Sequence, residues 1–193
     1  MKTVFFDIDT QIDFLFPAGA LYAPGAEKII GTVARLNHHA AKHRIPVIST
    51  MDAHSENDPE FRDWPHHCVV DTMGQRKPAS TLLDGWVVVP NSPLVNPPLG
   101  DQLLLEKQTF SCFSNVNLSH LLNHFAADRY VVYGVVTEVC VKFAAFGLLE
   151  TGKQVEVVTD AVKALTAEGS EQTLDQFKAA GITLTTTGAV IGG

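Results

Sequence analysis

Cys140 stands in G-V-V-T-E-V-C-V (Gly134–Val141), just past a β-branched run and at the opening of a helical pattern. A thiol there meets helix amino-terminal amides and the positive end of the helix dipole, which favour the nucleophilic thiolate. The same amides can hold an oxyanion. Position alone does not separate this from a small buried thiol, a common fate of free cysteine. Asp7, Asp9 and Asp13 cluster where the run Thr3–Ile8 ends, with Asp7 and Asp9 on one face at period two. A carboxylate beside a thiol can take its proton and return it to a leaving amine. Capping a turn or pairing with a cation is the plainer use, preferred for Asp7 and Asp13 taken singly. Lys107 ends the run Leu103–Glu106, where a lysine is ordinarily solvated. Asp52-Ala53-His54, with a further imidazole from His66-His67, offers a carboxylate and two imidazoles. That set suits Zn²⁺, Fe²⁺ or Mn²⁺ with open positions, although histidines on polar loops are common without a metal.

These residues need a scaffold that brings them together. Thr3–Ile8 has the short, β-branched and aromatic character of a buried strand. Ile29, Val33, Leu36 and Ala40 recur at helical spacing, with Lys42, His43 and Arg44 at the carboxyl end, where cations suit the dipole. Pro46 introduces a second strand, Val47–Thr50. Residues 51–101 are irregular, with Trp86–Val89 as a strand or a hairpin arm. Strands then follow at Gln102–Glu106, Tyr130–Val135, Gln154–Thr159 and Ile182–Thr186. Between them lie helices near Asn115–Phe125, over Thr137–Glu150 with Thr137 as N-cap, and near Ser170–Ala180. Gly152 and Gly181 stop the last two. Strand–helix alternation with nearly continuous apolar strands predicts a parallel sheet covered on both faces. The expected fold is α/β: a three-layer α/β/α sandwich, a mostly parallel sheet of about six strands, one domain over residues 1–193. Ligands bind beyond the carboxyl ends of such strands. The rule selects Asp7–Asp13, Met51–His54, Lys107–Ser114 and Val135–Cys140, and the reactive residue types fall in those windows.

Composition narrows the function. The 193 residues are 46% hydrophobic and 18% charged, with mean hydropathy +0.10, a globular balance. Net charge is −7, and no basic patch with interleaved aromatics answers to a phosphate backbone, so a nucleic-acid partner is not expected. No apolar run approaches the roughly 18–20 residues of a membrane helix, and Met1-Lys2 leads into a strand rather than a signal peptide. An odd set of cysteines, Cys68, Cys112 and Cys140, points to reduced thiols and a cytoplasmic location.

Seven segments in order resemble the isochorismatase-like cysteine hydrolases, most of all the nicotinamidases: D-T-Q-I-D-F (Asp9–Phe14), F-P-A-G-A-L (Phe16–Leu21), M-D-A-H (Met51–His54), W-P-H-H-C-V (Trp64–Val69), K-Q-T-F-S (Lys107–Ser111), G-V-V-T-E-V-C-V, and V-T-D-A-V (Val158–Val162). The resemblance spans Phe6 to about Leu165. It implies that Cys140 is the nucleophile and that Asp9, rather than Asp7, is the catalytic carboxylate with Lys107 beside it. It also implies a divalent ion, zinc first and iron or manganese next, on Asp52, His54 and His67. Further implied are a cis peptide joining Val135 and Val136, an oxyanion hole from the Val136 and Cys140 amides, and Phe14 and Trp64 flanking a flat ring. The small-molecule substrate would be nicotinamide, hydrolysed through a thioester on Cys140 to nicotinate and ammonia in pyridine nucleotide salvage. Rival readings are an amidase for ureido, maleamic or carbamoyl substrates, an isochorismatase-type vinyl-ether hydrolase, and a silent binding domain. The family's tendency to self-associate is the one ground for expecting a homo-oligomer. Ala53 stands where many nicotinamidases have an aromatic or Ser. The loop Ser55–Phe61 offers Asp58 and Glu60 but no histidine as a further ligand, so a carboxylate or water would fill that place. Cys68 and Cys112 match no catalytic position and are expected to be structural.

Overall fold

The chain opens in the middle of its sheet. The structure, a computed structural model, describes residues 1–192. Strand β1 (Thr3–Ile8) lies between β2 (Val47–Asp52) and β5 (Arg129–Val135), and the sheet runs β3-β4-β2-β1-β5-β6-β7. The remaining strands are β3 (Trp86–Val89), β4 (Gln102–Lys107), β6 (Gln154–Lys163) and β7 (Thr183–Thr185). Every neighbouring pair is parallel. Helices α1 (Ile12–Leu15), α2 (Ile30–Lys42), α3 (Leu118–Phe125), α4 (Lys142–Glu150), α5 (Ala167–Ala179) and α6 (Thr187–Ile191) complete an α/β/α sandwich. From β1 the chain builds one side of the sheet, with the edge strand β3 laid down before β4 fills the place beside β2, and then, from β5, the other side. The switch point of the topology, where ligands gather in open α/β sheets, therefore lies between β1 and β5.

The sheet has seven strands rather than about six. The extra strand is β3, which pairs in parallel along the outer side of β4, so it is no hairpin arm. Its position at an edge leaves Trp86 and Val88 exposed, and its proline-rich surroundings mask the strand signal. Helix α3 starts at Leu118 instead of Asn115. The Asn115 side chain donates to Glu106 O (2.7 Å) and accepts from Asn117 N (2.8 Å), and asparagine used this way competes with helical bonding.

Burial on both faces explains the apolar strands. Val4, Phe6, Ile8, Val131, Val132 and Val157 are all within about 1% of complete burial. At Gly134, φ is +119°, and a Cβ would overlap the backbone of Ile8. Glycine there lets β5 close on β1 just before the Cys140 turn. Among the described residues, no helix is long and apolar enough to cross a membrane.

Candidate active site

Asp9, Lys107 and Cys140 come from the carboxyl ends of β1, β4 and β5, and they meet. The chain leaves β1 at Asp9, whose φ is +47°, so period-two alternation ends there and Asp7 and Asp9 part company. Asp7 faces a buried polar cluster, accepting from Thr10 (2.6 Å), Ser49 (2.9 Å) and Lys77 (3.4 Å). Asp9 accepts at Oδ1 from the Thr50 hydroxyl (2.6 Å). Its Oδ2 is 2.9 Å from Lys107 Nζ, an ion-pair contact out of hydrogen-bond alignment. That oxygen thus has no hydrogen-bond donor among the described residues. Lys107 also contacts Asp52 Oδ1 and points at Cys140 Sγ from 3.7 Å.

Burial and charge fix the protonation states. Burial works against the Lys107 ammonium, yet Asp52 and Asp9 hold it well above the ordinary lysine range. Burial raises the Cys140 thiol well above its usual value, against the pull of Lys107 and with Asp9 and Asp52 adding to the rise. Burial thus opposes the thiolate that a helix terminus would favour.

The Cys140 turn also differs from a capped α-helix. Thr137–Val141 is a π-helical turn with Val136 at the N-cap position, running directly into α4. Thr137 is thus the first residue of the turn and not its cap, and its buried hydroxyl has no partner among the described residues. The Val136 carbonyl accepts from the amides of Val139 and Val141 (both 3.1 Å) and skips that of Cys140 between them. The Val135–Val136 peptide is cis. Glu138 ties the turn to the loop before α5, accepting from Leu165 N (2.9 Å) and Thr166 N (3.3 Å).

A second cluster adjoins the first through Asp52. Ligand atoms of Asp52, His54 and His67 lie within 4.8 Å of one another, and all three residues are buried. Asp52 Oδ2 is 4.0 Å from His54 Nε2 and 3.9 Å from His67 Nε2. Glu60 Oε1 stands 3.9 and 3.7 Å from the same two nitrogens. Ligands held tetrahedrally at about 2.0–2.2 Å from one ion stand about 3.3–3.6 Å apart, within a few tenths of an ångström of these spacings. Asp58 lies on the far side of His54, 3.1 Å from Nδ1, and its other oxygen accepts from Glu60 N (3.0 Å). His67 Nδ1 contacts Pro65 O at 2.7 Å. Burial holds His67 below the usual histidine range, so the neutral ring presents Nε2 as a lone pair. His54 Nε2 is buried with no hydrogen-bond partner among the described residues. An orphaned imidazole nitrogen, facing two carboxylates and a second imidazole, fits a divalent cation. Burial pushes Asp52 up to about 7, against the pull of Lys107. His66 is exposed and stacks on Phe61 at 4.3 Å, outside the cluster.

Both clusters open into one pocket. Asp9, Asp52, Glu60, His67 and Cys140 share its walls with Phe14, Trp64, Leu21, Phe110, Val139 and Leu165. Phe14 and Trp64 were legible from their motifs. Leu21, Phe110, Val139 and Leu165 are not legible as pocket residues, because an apolar residue in a loop or turn carries no signal of which cavity it faces. Thr50 likewise reads in the sequence only as a strand residue.

An isochorismatase domain model matches residues 3–189. The chain belongs to the isochorismatase family. It is 26% identical to the nicotinamidase of Saccharomyces cerevisiae over 83% of this chain and 87% of that one. It is 25% identical to the nicotinamidase of Escherichia coli over 93% and 92%. The crystal structure of the pyrazinamidase of Pyrococcus horikoshii in complex with zinc superposes with a TM-score of 0.80, at 28% identity, covering 96% of this chain and 99% of that one. Family and relatives together mark this isochorismatase-family chain as an amide-hydrolysing enzyme.

Proposed function

We propose that the protein is a cysteine-dependent nicotinamidase, converting nicotinamide to nicotinate and ammonia. The observation that carries this reading is the double use of Asp52. One oxygen pairs with Lys107 beside Cys140 and the other faces His54 and His67, so a nucleophile and a cation site address one pocket. The pocket's charge supports it. Among the described residues lining it there is no lysine or arginine, while Asp9, Asp52 and Glu60 are all present. Maleamic, ureido-acid and N-carbamoyl amino acid substrates carry a carboxylate, for which those walls offer no cationic side chain; a neutral ring amide needs none.

In this mechanism the Oδ2 of Asp9, which has the Lys107 ammonium beside it but no hydrogen-bond donor, takes the Cys140 proton as sulfur adds to the amide carbon. Lys107, close to both, offsets the thiolate charge as it forms. The resulting oxyanion lies against the amides of Val136 and Cys140. Asp9 then gives its proton to nitrogen, the C–N bond breaks, ammonia leaves, and a thioester remains. Water next yields a proton to Asp9 and its hydroxide to the carbonyl carbon. The C–S bond breaks, the acid departs, and the proton returns to sulfur. Asp52, His54, His67 and Glu60 would hold a divalent ion, zinc by the chemistry of the donor set, which when bound offers a Lewis-acidic point for a pyridine nitrogen. Phe14 and Trp64 would flank the ring, where stacking adds about 0.5–1.5 kcal/mol beyond burial. Buried free thiols suit a cytoplasmic salvage enzyme.

Ammonia release from nicotinamide, benzamide, maleamic acid and a ureido acid tests the reading, with Cys140→Ala as the blank. Benzamide lacks only the ring nitrogen, and its kcat/KM should be at least about 100-fold lower, equivalent to about 2.7 kcal/mol. Equal turnover of benzamide removes the ring-nitrogen role, and faster turnover of an acidic substrate replaces the nicotinamidase reading.

A further inference from the structure

We propose that Gln11 is a positioning residue that sets Asp52 as the member common to the thiol cluster and the cation cluster. This rests on the reading above, in which Asp52 is a metal ligand. The need for Gln11 arises from how β1 ends. The β1–β2 ladder runs in register to Asp7 and Ser49, and the Asp9 amide still reaches Thr50 O at 3.2 Å. The chain then turns into α1, so no backbone of β1 remains beside Asp52. In a strand, the N–H and C=O of one residue point to the same side. Ala53 N donates to Lys107 O (2.9 Å) on the β4 side, so both polar groups of Asp52 face the gap that β1 has left. Buried and unpaired, each would cost about 1–3 kcal/mol.

The Gln11 side chain fills that gap as a surrogate peptide. Its Oε1 accepts from Asp52 N at 2.7 Å, and its Nε2 donates to Asp52 O at 2.8 Å. The second Nε2 hydrogen goes to Gln75 O, also at 2.8 Å. Gln11 is wholly buried, so this amide is used up by three backbone groups from two segments. Gln75 belongs to the stretch that returns after His67 and Cys68, and neighbouring Gly74 and Arg76 carbonyls accept from Asp13 N (3.1 Å) and Ile12 N (2.8 Å). Asp52 is thereby fixed from both sides, by β4 and by Gln11, while the second Gln11 hydrogen bond ties it to the stretch that follows His67. Ligand distances must hold to about ±0.2 Å for tight metal binding, and a side chain that pins the ligand's own backbone supplies that tolerance.

Zinc affinity of folded protein, measured by chelator competition well below the unfolding temperature, tests this in wild type, Gln11→Asn and Gln11→Met. Asparagine keeps the amide but is one methylene short of Asp52; methionine keeps the length without hydrogen bonds. We expect zinc Kd to weaken about 10–100-fold, with kcat/KM for nicotinamide falling alongside. Phe177→Leu, a core change on α5 in contact with Phe146, lowers stability elsewhere and should leave zinc Kd unchanged. Where neither Gln11 variant folds, the Gln11 side-chain amide resonances of wild type serve instead, and they should shift on zinc titration. An unchanged Kd in a folded variant, or resonances indifferent to zinc, would overturn the positioning role. Wild type that binds no zinc would instead bring down the metal reading of Asp52 itself.

Discussion

Burial raises the Cys140 thiol, so in the proposed mechanism base and nucleophile act as a pair. Replacing Asp9 by Asn keeps the size and the acceptor for Thr50 but leaves the thiol proton without a base. We expect kcat to fall at least about 10²-fold, with cooperative urea unfolding retained; near-normal turnover would remove Asp9 from the mechanism. Iodoacetamide should label Cys140 before Cys68 and Cys112, because only Cys140 lines the pocket and the other two are at most 1% exposed. Since the folded-state pKa is raised, the labelling rate should still be climbing above pH 9 instead of levelling near the usual thiol value. Peptide mass spectrometry after a brief pulse at several pH values reads both outcomes.

Elements, more than single side chains, set which imidazole faces the cation cluster. After the short helical turn Pro59–Arg62, Trp64-Pro65 rotates the chain so that His67 turns inward and His66 outward against Phe61. His54→Ala and His67→Ala should each lose metal on dialysis by elemental analysis, while His66→Ala keeps it. Loss in His66→Ala would mean that the loop is one residue out of register. The approach of β5 to β1 is a second property of elements. Gly134→Ala meets both a positive φ and the Ile8 backbone. We expect at least roughly 2–3 kcal/mol of destabilisation, read as a lower urea midpoint, and a stability within 1 kcal/mol of wild type, roughly the scale of an ordinary substitution, would show that β5 can move away.

Over the whole molecule, buried thiols couple folding to alkaline pH. Burial raises Cys112 from 9.0 to about 12, so the folded chain keeps a proton that the unfolded chain gives up. This contribution is fully present below pH 9 and is lost as pH rises from 9 towards about 12, at up to about 1.4 kcal/mol per unit. Cys68 and Cys140 shift in the same direction. Urea unfolding at pH 8, 9.5 and 10.5 should show wild type losing stability more steeply than Cys112→Ala. Parallel slopes would mean that Cys112 ionises while folded.

The sequence by itself determined the alternation of strands and helices, the four strand ends that line the pocket, and, through seven ordered motifs, singled out Asp9, Lys107, Cys140, Asp52, His54 and His67, which the fold brings together. Those are local properties: apolar periodicity, turn residues and motif spacing act within a few residues and survive without partners. Tertiary structure decided what depends on distance across the sheet. The choice of Glu60 over Asp58 to face both imidazoles comes from the turn Pro59–Arg62 and not from composition. The parallel pairing of Trp86–Val89 depends on β4 being free on its outer side. The raised thiol of Cys140 reflects burial among groups drawn from separate strands, an environment that its place in the sequence did not show. Gln11 makes the same point most directly, since it lies in the first motif, yet its three partners are 41 and 64 residues away, and only folding brings them within reach of one amide.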